Sequence, residues 1–180
     1  MWESLESKMT IELGSVKAYK SVFLSCYSQV GMKFTLDYNK MLVLDAEALA
    51  ETGIKESYQS VVRVLGQYVP EPAQIQEMVD NDAPSYIVKC GDVEYVIYSP
   101  ALPDEEGQTW GRATYAFFKM INDQLTKSEY RLYAINGGND LGGLFLTKSE
   151  CDAARKSLPR KEDWPYLPTP EHPWHGQYHG

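Results

Sequence analysis

The chain has 180 residues, enough for one domain that buries roughly 70% of its unfolded surface without help from disulfides or a structural metal. Its 43% hydrophobic and 23% charged residues exclude wholesale disorder. Twenty-five acidic against 17 basic residues give a formal charge of -8, which disfavours nonspecific binding to nucleic-acid phosphates or anionic lipid, both held by Lys and Arg.

Glu3, Glu6, Lys8 and Glu12 interrupt the first dozen residues, where a signal peptide needs a basic start and an apolar run. The run Val22 to Cys26 is too short to span a membrane. Cys26, Cys90 and Cys151 are odd in number and form no CxxC pair, which fits a reducing compartment; the expectation is a cytoplasmic protein. Residues 15 to 36 are spaced ambiguously between helix and strand. Met41 to Leu44 is a short apolar run, after which Asp45 reads as the cap of a helix through Glu51, ended by Gly53. Tyr58, Val61, Val62 and Leu65 recur at helical steps and predict a helix over 54–68. Pro70 closes it, and Pro72 is expected to open a further short helix containing Ile75, Met78 and Val79.

Two β-rich runs, 86–90 and 93–98, flank Gly91-Asp92, the signature of a tight hairpin. After a loop over 100–107, the stripe Ala113, Ala116, Phe117, Met120, Ile121 and Leu125 predicts a helix over 109–125. A second hairpin joins 130–135 to 144–146, and Thr147 with Glu150 forms a capping box that opens a last helix to Ser157. The class expected is α+β: an antiparallel sheet built from two hairpins packed against helices, in a single domain over 1–157. Five prolines from Pro159 to Pro173 end regular structure, yet Trp164, Tyr166, Leu167, Trp174 and Tyr178 make the tail over 158–180 apolar, so it is expected to dock on the domain.

No motif names a reaction. Gly137-Gly138 and Gly142-Gly143 resemble a phosphate cradle, but a strand signal follows rather than a helix, so a hairpin turn is the better reading. His172, His175 and His179 have helical spacing for a metal site, against which Pro170, Pro173 and Gly176 argue; no cofactor or metal is assigned. Cys90 reads as a small core residue. Cys151, near the start of a helix, is the one thiol whose pKa the helix dipole would lower. A triad would need a histidine delivered by the tail.

Charge placement is more informative. Between Pro70 and Gly107 stand nine carboxylates and one base, Lys89, an excess equal to that of the whole chain. Asp80, Asp82, Asp92, Asp104, Glu105 and Glu106 fall in turns and loops around the first hairpin and are the candidate partner-binding residues; a shared acidic surface there would steer a basic macromolecule. Thirteen tyrosines and four tryptophans offer interface anchors.

Size, acidity, the two-hairpin layout, the turn Asn136-Gly137-Gly138-Asn139-Asp140 leading into Phe145-Leu146-Thr147, and the tail Trp164-Pro165-Tyr166-Leu167-Pro168 together resemble small acidic immunity proteins of bacterial polymorphic toxin systems. The resemblance covers about the last third of the chain. It implies a non-catalytic inhibitor of one cognate, basic protein toxin acting in the cytosol, with no nucleic-acid or membrane partner. The competing expectation is a small hydrolase or metal-dependent enzyme that uses the C-terminal histidines.

Overall fold

The structure, a computed structural model, describes residues 34–102 and 108–171. The readings for residues 15–33, for Cys26, for Asp104, Glu105 and Glu106, and for His172, His175 and His179 lie outside the described residues. The chain divides at Lys33, and the unit that begins at Phe34 is the one described below.

The class is α+β. Among the described residues there are four α-helices and two antiparallel sheets of three strands each. In chain order these are β1 (Leu42–Val43), α1 (Ala46–Glu51), α2 (Ile54–Leu65), β2 (Ile75–Asp80), β3 (Ser85–Cys90), β4 (Val93–Tyr98), α3 (Gln108–Gln124), β5 (Tyr130–Ile135), β6 (Gly142–Thr147) and α4 (Lys148–Ser157). The strand orders are β1-β6-β5 and β2-β3-β4. Both expected hairpins form, in separate sheets, and each gains a third strand.

Local chemistry accounts for most boundaries. Asp45 accepts hydrogen bonds from the N–H groups of Glu47 (2.8 Å) and Ala48 (3.2 Å) and so starts α1. Thr147 and Glu150 close a reciprocal capping box on α4: Thr147 N–H donates to Glu150 Oε2 at 2.7 Å, and Glu150 N–H to Thr147 Oγ1 at 3.2 Å. Gly91 takes φ +60° in the two-residue turn between β3 and β4, a conformation that costs glycine nothing. Gly142 allows β1 its close approach to β6: a Cβ there would lie 2.7 Å from Met41 Sδ.

One element differs in kind from the sequence reading. Residues 75–80, expected as a helix after Pro72, form β2, paired in unbroken register with β3 from Ile75↔Cys90 to Asp80↔Ser85. Ile75, Met78 and Val79 do fall at helical steps, but pairing puts Ile75, Glu77 and Val79 on one face with Tyr86 and Val88, and Met78 on the other with Ile87. Six residues are too few for periodicity to separate the two states, and a neighbouring strand with unpaired backbone decides.

Helix α3 is the centre of the core. Ala113, Phe117, Phe118, Met120 and Ile121 are buried, and the helix packs against α1, α2, β4 and β5. Strand β5 is buried on both faces. Leu132 and Ala134 join the main core, whereas Tyr133 and Ile135 join a second cluster with Leu144, Leu146, Cys151 and Ala154 under α4. This is why the run over 132–135 reads as continuously apolar rather than alternating.

The free edge of β5 is closed by two separate devices. Asn122 of α3 copies a peptide group: its Oδ1 accepts from Leu132 N–H at 2.8 Å, and its Nδ2 donates to the Leu132 carbonyl at 2.9 Å. Two residues on, Ala134 exchanges both backbone bonds with Tyr166, at 2.8 and 3.0 Å. Tyr166 is buried, and its hydroxyl donates to the Asn136 carbonyl at 2.6 Å. Arg155 Nε donates to the Pro165 carbonyl at 2.9 Å, and Trp164 Nε1 to that of Leu158 at 3.2 Å. The described part of the tail is thereby anchored along the sheet.

Candidate functional site

The candidate acidic residues do not gather in one place. Asp80 ends β2 and Asp82 lies in the turn that follows. Both are exposed, and Asp80 Oδ1 accepts from the N–H groups of Asp82 (2.9 Å) and Ala83 (3.1 Å), which fixes the turn. Asp92 is also exposed but sits in the β3–β4 turn, at the opposite end of the same sheet. A six-residue strand separates the two turns, a span of about 17 Å at about 3.4 Å per residue. Screening at physiological salt acts over about 8 Å, so Asp92 adds little to the field at Asp80 and Asp82. The expectation of one surface around both turns is corrected accordingly: adjacency in sequence put Asp92 near Asp80, and strand length took it away. Asp104, Glu105 and Glu106 lie outside the described residues.

Two further carboxylates of this region have structural employment. Glu94 holds Lys89 across the solvent face of the sheet at 2.7 Å. Glu77 turns inward to the start of α2, where its Oε1 accepts from Lys55 N–H (2.8 Å) and from the Tyr86 hydroxyl (2.5 Å), while Tyr86 Oη accepts from Ile54 N–H (2.7 Å). Gly53, at φ +122°, makes room: a Cβ there would lie 2.9 Å from Glu77 Oε1. This cap has no local sequence signature, because its acceptor stands 22 residues from the amide it serves. Glu71, Asp80, Asp82 and Asp92 remain as outward-facing charge.

A cleft of about 620 Å³ lies between β5, α4 and the tail and is lined by Arg131, Tyr133, Lys148, Cys151, Asp152 and Arg155 among others. Its cations are already engaged. Arg131 Nη1 donates to the carbonyls of Leu125, Ser128 and Tyr130 at 2.6–2.8 Å, closing the end of α3, and Lys148 pairs with Asp152 at 2.6 Å. Cys151 is buried, its Sγ 3.7 Å from the Pro165 carbonyl, and burial pushes its thiol up in pKa. The lowered thiol expected from the sequence is not found: loss of water around the sulfur raises it, against the opposing pull of the nearby Arg155. Cys90, half-buried at the end of β3, is raised for the same reason.

The glycine-rich segment is a hairpin connection. Asn136 (φ +57°) and Gly138 (φ +60°) take left-handed conformations, a 3-10 turn spans Gly138–Asp140, and β6 starts at Gly142. Strand β6, not a helix, follows it in the chain, and the first turn of α1 that packs against it presents Glu47, which accepts from Asn139 Nδ2 at 3.2 Å and would repel an anion. Among the described residues no three His, Cys, Asp or Glu side chains group as metal ligands, and none of the three histidines is among these residues. No described helix is long and apolar enough to cross a membrane.

What the structure adds is an edge. The outer side of β2 carries no backbone bond to another element among the described residues, and Val79 on it is 59% exposed. Between Arg63 and Lys89 the sequence holds four carboxylates and no Lys or Arg. No family model, curated protein or solved structure matches this chain.

Proposed function

We propose that the chain is a non-catalytic immunity protein, one that binds and inhibits a cognate protein toxin acting in the cytosol. The observation that carries this reading is the acidic segment around β2, in which Glu71, Asp80 and Asp82 face outward with no basic residue between Arg63 and Lys89 to neutralise them. A toxin that acts on nucleic acid or nucleotides must present a basic surface to its substrate. Carboxylates held on a sheet would compete for that surface and speed encounter through long-range attraction. In the cleft between β5, α4 and the tail the cations are held by structural partners and the Cys151 thiol is raised, which favours binding over chemistry there.

The experiment is a titration. The toxin encoded beside this gene is assayed against increasing chain, and its activity is expected to fall to background at one equivalent. Neutralising Asp80 and Asp82, or Asp104, Glu105 and Glu106, to Asn and Gln should slow association several-fold at low salt and leave the urea midpoint unchanged. Toxin activity that persists in excess chain would refute inhibition. Association indifferent to salt and to these substitutions would refute the electrostatic part.

A further inference from the structure

Four strands stand at the sheet edges, and three of them are blocked in recognisable ways. Strand β1 is two residues long. Strand β5 is covered by Asn122 and Tyr166. Strand β4 is broken by a register shift opposite Tyr86 and Ile87, and its chain runs on into Pro100. Strand β2 has none of these devices. It is six residues long, regular in register, and free of Pro, Lys and bulge, three features that keep edges from pairing with other chains; the charges it does carry are the carboxylates of Asp80 and of Glu77, the latter turned inward onto Lys55 N–H and Tyr86.

The hydrogen-bond alternation follows from the turns. The two-residue connection makes Cys90 and Val93 a bonded pair, so Cys90 and Val88 face β4 while Ser85, Ile87 and Lys89 face β2. Gln76, Met78 and Asp80 therefore spend their backbone groups on β3, and the N–H and C=O groups of Ile75, Glu77 and Val79 point outward. Glu71 precedes this edge, Asp80 ends it and Asp82 follows, and the backbone N–H of Lys55, at the start of α2, donates to Glu77. A second copy of β2 laid against the first would bring like carboxylates together, which disfavours self-pairing.

We infer that the free edge of β2 takes up an extended, Lys- or Arg-bearing segment of a protein partner as a fourth strand. The backbone groups of Ile75, Glu77 and Val79 supply affinity, Val79 and Met78 offer apolar contact on the two faces, and Asp80 and Asp82 select for positive charge. This rests on the partner-binding reading above and specifies its surface.

The test uses the full chain with two N-acetylated heptapeptides, one alternating Val with Lys and one alternating Val with Glu, read by amide exchange and by backbone NMR shifts. The Lys peptide is expected to slow exchange at Ile75, Glu77 and Val79 at least tenfold, with shifts centred on β2; the Glu peptide should do neither. Val79→Pro removes an outward N–H and no ladder bond, and should weaken Lys-peptide binding at least tenfold. Should that variant fail to fold, Val79→Lys keeps the strand and repels the same peptide, with a loss of several-fold. Shifts centred on β4, equal binding of both peptides, no binding at millimolar peptide, unchanged binding by the Val79 variants, or self-association through β2 in sedimentation would each overturn the inference. Val79 variants that neutralise the toxin at full potency would remove this edge from the mechanism while inhibition stood. Failure of the unaltered chain to neutralise would remove inhibition, with the peptide result still deciding the edge.

Discussion

Substitution at Tyr86 isolates the cap that ties the sheet to α2. The Tyr86 hydroxyl stands between two partners, accepting from Ile54 N–H at 2.7 Å and donating to Glu77 Oε1 at 2.5 Å, and Ile54 and Tyr86 are both buried. Tyr86→Phe preserves the ring and its packing against Tyr98, so the loss falls on the hydrogen bonds. It strands a buried amide, which costs about 1–3 kcal/mol, and we expect about 2 kcal/mol. Glu77→Ala removes a charged acceptor from Lys55 N–H and from the phenol at a helix start, for about 2–3 kcal/mol. Since the two side chains serve one network, the double variant should cost about 1 kcal/mol less than the sum. Urea unfolding followed by circular dichroism measures all three, with unchanged m-values and midpoint temperatures lower by about 4–8 °C for Tyr86→Phe. A Tyr86→Phe cost below about 0.5 kcal/mol, or strict additivity, would refute the linked cap.

The remaining predictions concern buried polar groups. Thr114, fully buried in α3, has a hydroxyl without a hydrogen-bond partner among the described residues; Thr114→Val keeps the shape and should raise stability by about 1 kcal/mol in urea unfolding. Tyr86, Tyr95 and Tyr166 have phenols raised well above the usual value, chiefly by burial, with Glu77 and Asp123 adding to the first two. A raised folded pKa means stability that is complete below about pH 10 and is lost as pH climbs beyond it, by up to about 1.4 kcal/mol per pH unit for each tyrosine. Tyrosinate absorbance should therefore rise together with loss of circular dichroism, and Tyr95→Phe should flatten the pH slope. Asn122→Ala should cost about 2 kcal/mol in urea unfolding, because it leaves the Leu132 N–H and C=O unpaired at a buried strand.

Signals confined to a few neighbouring residues were legible in the sequence. The Gly91-Asp92 turn, the Thr147–Glu150 box, the Asp45 cap and the stripe of α3 each need only local chemistry, and the structure has all four. Strand β2 was illegible because Ile75, Met78 and Val79 satisfy helical spacing while strand pairing puts Met78 on the opposite face from the other two, and the deciding partner, β3, lies beyond a turn. Glu77 reads as one more acidic residue until the fold brings the start of α2 against it. The charge excess was visible, but its division was not: two turns of one hairpin system point to opposite ends of a sheet, which separates Asp92 from Asp80 and Asp82.

The closure of β5 makes residue 166 a guardian of solubility. A chain cut short before Pro165 would bare the Ala134 backbone on a strand of Leu, Tyr, Ala and Ile, leaving Asn122 to shield it alone. Such a chain would stack through that rim into oligomers, so the segment around Tyr166 serves this molecule as a stopper against its own polymerisation.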